Sequence, residues 1–305
     1  MKNKETHMHV FNSLTQLHDA IGQPKPQHPL ISIVNYGDVD VDTTELGKGM
    51  MLNFYKISFK SNFKGKIKYG QGFYDFEEGG MSFIAPGQII RAVDGETDFE
   101  GMSLHIHPDF IRPYALNTII KQYGFFSYTA AEALYLSEKE KETILGVLKS
   151  IKEELNERID TFSQDVIISQ IELLLNYCNR FYNRQFLTRK AVNNDLLSKM
   201  ELVLDAYFND NAAMDKGLPT VQFLANELNV SANYLSDMLR NLTGLNAQQH
   251  IHQKLIDKAK EYLGSGNLSI AEVAYRLGFE RPQSFSKMFK QKTNQTPLGF
   301  KQGFN

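Results

Sequence analysis

The chain has 305 residues, 42% of them apolar and 22% charged, which is enough for two domains with cores of their own. A formal net charge of −2 excludes an overall polycation, so a nucleic-acid partner would have to be met by a local arrangement of charge. The single cysteine, Cys178, excludes an internal disulfide; with no apolar run near the ~18 residues of a membrane span and no signal-peptide core at the start, the expected location is the cytoplasm, with no membrane partner.

Residues 1–136 are rich in short aromatic and β-branched segments, ISIVNY, NFYKISFK, GKIKYGQ, GMSFIAP and MSLHIHP, separated by glycine, proline or acidic turns. This rhythm predicts an antiparallel barrel or sandwich. In YKISFK, Tyr55, Ile57 and Phe59 alternate with Lys56, Ser58 and Lys60, giving one buried and one wet face, and Ile67 and Tyr69 alternate with Lys66 and Lys68 in the same way. FIAPGQ, at 83–88, reads as strand then turn. His105 and His107 form an H-x-H that would put both rings on one face of a strand, as a metal site needs. HPDF however reads as a helix start and no third histidine follows before His250, so the two are assigned to capping or packing, and no metal or cofactor is expected.

Two amphipathic helices follow, 137 to about 158 and 163 to about 184. Ile144, Leu145, Leu148, Ile151 and Leu155 form the stripe of the first, and Val166, Ile167, Ile171, Leu174, Leu175 and Cys178 that of the second. Over 137–185 such an antiparallel pair can cover the sheet or dimerise. FLTRKAVNND, 186–195, is polar and basic with no stripe and reads as an interdomain linker; 196–208 is then helical and 209–219 a loop.

From Thr220 to Gly244 the chain carries a helix-turn-helix pattern. Val221, Leu224, Ala225 and Leu228 make one stripe, Asn229 tolerates the left-handed exit, and Ser231 caps a second helix with Tyr234, Leu235, Met238, Leu239 and Leu242 inward. Ala232, Asn233, Ser236, Asp237 and Arg240 are left facing outward as candidate base readers. The pattern recurs from Ser269 to Asn294: Ser269 caps, Ile270, Val273, Ala274 and Leu277 are inward, Gly278 turns, and Phe279 plugs the core. Pro282 opens the next helix, whose inner face is Phe285, Met288 and Phe289, leaving Gln283, Ser284 and Lys287 outward with Arg281 at the entrance. Residues 246–263 between the units read as one helix of roughly 27 Å, a length suited to holding two heads in major grooves about 34 Å apart. Charge favours the second unit: from Tyr275 to Lys301 there are Arg276, Arg281, Lys287, Lys290, Lys292 and Lys301 against Glu280, whereas from Pro219 to Leu245 Arg240 alone faces Glu227 and Asp237.

Residues 196–302 resemble the DNA-binding domain of the AraC/XylS family of bacterial transcription regulators. The resemblance is carried by IAEVAYRLGFERPQSFSKMFKQKTNQTPLGFK, in which Gly278, Phe279, Phe285, Phe289, Lys290, Thr296 and Pro297 match the family signature. It implies a seven-helix domain from 196 to 305 with Asn233, Ser236 and Asp237, and Gln283, Ser284 and Lys287, at the outward recognition positions. Asp237 departs from the basic or amide residue common there: an acid accepts from cytosine N4 but repels phosphate. Residues 1–136 are similar, in strand rhythm and in the Pro-Gly-Gln turn, to the cupin-like barrel that many members carry, and the resemblance implies a helical pair that in the family often forms the dimer interface, which leaves covering and dimerising both open.

The expected fold is thus α+β and multidomain: a cupin-like β-barrel, a helical pair, and an all-α domain with two helix-turn-helix motifs. The expected function is a ligand-responsive transcriptional activator, not an enzyme. It would be a homodimer that binds double-stranded DNA, a small-molecule effector and RNA polymerase, with Asn233, Ser236, Asp237, Arg240, Arg281, Gln283, Ser284, Lys287 and Lys290 on the DNA. A regulator controlled by a protein partner instead of a ligand, and a cupin enzyme with an appended DNA-binding module, are the alternatives.

Overall fold

A computed structural model describes residues 8–39, 50–61, 67–69, 72–74, 79–90, 100–129, 132–157, 160, 162–210, 212–265 and 267–303. Lys66 and Arg158, used in the readings above, lie outside them. The chain divides into two compact units, Met1–Gln185 and Phe186–Asn305.

The described strands of the first unit are β1 (His9–Phe11), β2 (Ile31–Asn35), β3 (Met50–Leu52), β4 (Tyr55–Ser61), β5 (Ile67–Tyr69), β6 (Gly72–Tyr74), β7 (Gly80–Ile84), β8 (Gln88–Ile90), β9 (Glu100–Ile106) and β10 (Leu134–Tyr135). They form three sheets, ordered β1-β3-β8, β10-β7-β4-β9-β2 and β5-β6, antiparallel except for the β1-β3 pair. The expected closed barrel is therefore not formed by the described strands. β3 and β8 are three residues long, and a ladder that short ends before it can curl round to another sheet.

Cross-strand register sorts the five-stranded sheet into two faces. On one, Ile57 stands between Phe83 and Leu104, and Phe59 between Met81 and Met102. Helix α1 (Leu14–Ala20), capped by Ser13, packs Leu14 and Leu17 against Phe11 and Leu52 of the three-stranded sheet and Phe54 in the bend after β3. The short helices α2 (Pro108–Ile111) and α3 (Leu116–Ile119) lead on to α4 (Glu138–Asn156) and α5 (Ser163–Thr188). The apolar face of the sheet lies against α5: Met81 Sδ is 3.8 Å from Cys178 Sγ, and the Phe83 and Tyr182 ring centroids are 6.0 Å apart. Cys178 is a packed thiol, pushed far up from its ordinary pKa by burial. Ser137 and Glu140 cap α4 reciprocally, and Arg184 ties it to α5 through the Glu140 carboxylate at 2.6 Å. Val166, read as part of the inner stripe of α5, is exposed; Ile168 is buried instead.

The face of β4 read as wet is not wet. Ser58 is buried together with Ser103 and His105 opposite, and Lys56 and Lys60 are half-buried. Alternation reports which residues share a face, not whether something covers it.

The boundary between the units falls inside α5. Residues 186–195, read as a linker, are helical except for one turn residue, Arg189, before α6 (Lys190–Asn209) begins. Their polarity disguises a helix junction: the buried Asn193 side chain donates to the Phe186 carbonyl at 2.7 Å, in the last turn of α5. Then come α7 (Ala212–Lys216), α8 (Val221–Glu227), α9 (Ala232–Thr243), α10 (Ala247–Gly264), α11 (Ile270–Arg276), α12 (Pro282–Thr293) and α13 (Pro297–Gln302). The second unit therefore has eight helices among the described residues where the family pattern implied seven; α7 lies in the stretch read as a loop.

Candidate nucleic-acid interface

The first helix-turn-helix is α8 and α9. Thr220 Oγ1 accepts from the Phe223 N–H at 3.1 Å and Ser231 Oγ from the Tyr234 N–H at 3.2 Å, so each helix starts on a capping side chain. Asn229, at φ 56°, makes the left-handed exit between them, and Gly244, at φ 79°, ends α9. Tyr234, Leu235, Met238 and Leu239 are buried, which turns Asn233 and Arg240 fully outward and Ser236 and Asp237 to the half-buried flank. Asp237 Oδ1 accepts from Arg240 Nη1 at 2.8 Å. The one cation of this face is thus engaged by the one acid, a pairing that the i, i+3 spacing on a helix makes available.

The second helix-turn-helix is α11 and α12. Ser269 and Glu272 form a reciprocal capping box, and the hydrogen bonds from the Ser269 backbone and hydroxyl hold the Glu272 carboxyl below its ordinary pKa. Gly278 has φ +90°, and a Cβ there would come within 2.7 Å of the Gly217 backbone and 2.8 Å of the Ala213 carbonyl. The helical turn α7 therefore packs against the turn of this motif, an arrangement that reading 209–219 as a loop could not anticipate. Phe285 and Phe289 are fully buried, their centroids 5.7 Å apart, with Phe279 and Phe300 at either side. That fixed inner face leaves Arg281, Gln283, Ser284, Lys287, Lys290 and Lys292 exposed.

Not every basic residue of this region is on the outer face. Arg276 lies 5.2 Å from the Tyr262 ring centroid, and Lys301 Nζ donates to the Leu268 carbonyl at 2.7 Å, so both serve the fold. Lys292 belongs with the exposed cations, and its charge, after burial, helps lower the pKa of His252 on α10. Helix α10 packs against both motifs, α9 before it and α11 after it, and buries Ile251, Leu255, Ile256, Ala259 and Leu263. At 18 residues it is roughly 27 Å long at 1.5 Å per residue.

The H-x-H of the first unit does not make one site. His105 is buried in β9, whereas His107 lies beyond the strand and caps α2, Nδ1 accepting from the Asp109 N–H at 3.3 Å. Among the described residues there is no group of three or more metal-ligating side chains, and no helix long and apolar enough to cross a membrane.

Residues 224–303 match the family profile of a helix-turn-helix domain. The C-terminal domain is an AraC-type helix-turn-helix domain. The chain is similar to the HTH-type transcriptional activator RhaS of Escherichia coli, 28% identical over 152 residues that make up 50% of this chain and 50% of RhaS. It thus spans half the length of the curated relatives it matches, and those relatives are regulators, not enzymes. Among solved structures, the C-terminal domain of the two-component response regulator yesN from Fusobacterium nucleatum is 26% identical, covering 35% of this chain and 98% of that one with a TM-score of 0.31. ToxT from Vibrio cholerae is 15% identical, covering 89% of this chain and 98% of ToxT, with a TM-score of 0.30.

Proposed function

We propose that the protein is a DNA-binding transcription regulator of the activator type, whose AraC-type domain presents α9 and α12 to adjacent major grooves. The observation that carries this reading is the outer face of α12: Gln283, Ser284, Lys287 and Lys290 exposed along a helix whose other side is fixed by Phe285 and Phe289, with Arg281 at its start. Gln283 is the base reader, since an amide can bond adenine N6 and N7 together, and Ser284 reads or positions beside it. Arg281, Lys287 and Lys290 neutralise phosphates. On α9, Asn233 and Ser236 read, and the Asp237–Arg240 pair limits backbone attraction. In this reading the first unit senses a small-molecule effector, α4 and α5 serve a homodimer, and the complex contacts RNA polymerase in the cytoplasm.

The effector acts by binding one conformational state of the protein more tightly than another. The test is selection of bound fragments from random DNA at a stated salt concentration, followed by binding curves for two variants. Lys287→Ala is expected to weaken binding to all duplexes alike and to reduce the salt slope by about one. Gln283→Ala is expected to cost about 1–3 kcal/mol on the selected site and little on a mismatched one. Identical curves for both variants on both duplexes would remove α12 as the reading helix.

A further inference from the structure

The strand face that alternation marks as wet is closed in and polar. In register, Lys56 of β4 stands opposite His105 of β9, which stands opposite Ser32 of β2; one step along, Ser58 stands opposite Ser103. His105 and Ser103 are each only 1% exposed; the Ser103 hydroxyl is shared with Tyr36, but neither ring nitrogen of His105 has a hydrogen-bond partner. Buried polar groups are almost always satisfied by protein, water or ligand, and leaving one unmet costs about 1–3 kcal/mol. Neighbouring groups are already committed: His18 on α1 bonds the Pro24 carbonyl at 2.6 Å and Ser32 Oγ at 3.1 Å, and Phe54 meets the His105 ring edge to face at 5.8 Å.

Charge indicates what the partner is. Lys56 and Lys60 place their ammonium groups 5.7 Å and 5.8 Å from the Tyr36 ring centroid, and the Tyr36 hydroxyl donates to Ser58 Oγ at 2.9 Å. Burial raises the pKa of that hydroxyl, but Lys56 and Lys60, together with hydrogen bonds to Ser58 and Ser103, make the net shift downward. From the orphaned ring nitrogens of buried His105 and the Lys56 ammonium beside them, we infer that this face of the first unit is the binding site for a small organic anion. Lys56 supplies the counter-charge, and His105 bonds the acid group. The inference rests on the effector-sensing reading and gives that effector a chemical class, a carboxylate or a phosphate ester.

The test titrates the full chain with acetate, benzoate, octanoate and citrate, with glycerol phosphate and inorganic phosphate, and with acetamide, benzamide and octanamide as neutral counterparts. Thermal denaturation and the nitrogen-15 signals of the histidine rings are followed, those of His105 being identified by their loss in His105→Gln. At least one anion is expected to raise Tm saturably and shift the His105 signals. The neutral counterparts should bind about tenfold or more weakly, as loss of a charge-assisted hydrogen bond implies. Lys56→Met should abolish the preference for anions and Lys56→Arg keep it; if Lys56→Met does not fold, the His105 signals in the unaltered chain decide. Response to the carboxylates or to glycerol phosphate identifies the acid group. Saturation by none of the anions, equal binding of acids and amides, or a preference that survives Lys56→Met with the His105 signals unmoved overturns the site and leaves ordered water as the partner of these atoms. DNA binding, measured in parallel with and without each anion, separates the two readings: its absence under every condition counts against the regulator, and its presence leaves the anion site to stand or fall on the titration.

Discussion

Asp237 sets what the first reading helix can do. Its pairing with Arg240 is exposed and adds little to stability, but it holds the only cation of that face away from phosphate. In Asp237→Asn the charge of Arg240 is uncompensated. Affinity for non-specific duplex is therefore expected to rise, and the slope of log K against log salt to steepen by about 0.9, the signature of one more neutralised phosphate. Fluorescence anisotropy at several salt concentrations measures this; an unchanged slope together with weaker binding to the selected site would instead make Asp237 a reader of cytosine. Gly278 is constrained differently. Its φ of +90° is strained for any other residue, and the Gly217 and Ala213 backbones occupy the space of a Cβ. Gly278→Ala is expected to destabilise the AraC-type domain by about 2 kcal/mol or more. Chemical denaturation of that domain measures the loss, and a change within experimental error would mean that α7 is not held against the turn.

At the scale of elements, legibility followed the strength of local rules. Both helix-turn-helix motifs could be read because their signals are short-range: Thr220, Ser231 and Ser269 cap, Asn229 and Gly278 turn, and the apolar stripes repeat at helical spacing. The junction of α5 and α6 could not, because Asn193 looks like a linker residue until its side-chain bond across the junction to Phe186 is seen. The polar face of β4 failed in the same way: Lys56, Ser58 and Lys60 look solvated until His105, Ser103 and Tyr36 are placed beside them. The Asp237–Arg240 pair was available from spacing alone. For α12 the sequence pattern makes a quantitative claim, that its outer face is only as well placed as its inner face is full. Phe289, buried between Phe285 and Phe300, is the centre of that packing. Phe289→Ala is expected to cost about 3–5 kcal/mol by cavity formation. DNA affinity should fall with the folded fraction on a temperature series, and full affinity at every temperature would show that α12 is held by other contacts.

For the molecule as a whole, the two units differ in how deeply each buries its histidines, and this gives them different responses to acid. His105 of the first unit is held well below its ordinary pKa, by burial first, then by Lys56 and His18. In the second unit His250 and His252 are lowered chiefly by partial burial. In the unfolded chain each imidazole takes up its proton near pH 6.5, whereas folded His105 stays neutral to a much lower pH. Between those two values the unfolded state binds more protons than the folded one, so stability rises with pH across that window and is lost as pH falls from about 6.5 toward the folded pKa, below which His105 adds no further slope. Thermal denaturation from about pH 7.5 to about pH 5 should therefore show Tm declining in the lower part of the range. His105→Phe, which keeps an aromatic ring against Phe54 and removes the titrating group, should make that decline shallower. Equal slopes for the two proteins would mean that folded His105 takes up its proton at the same pH as in the unfolded chain, which in a buried site needs acceptors for the imidazolium. Such acceptors would have to satisfy both ring nitrogens as donors, because imidazolium has no lone pair to offer.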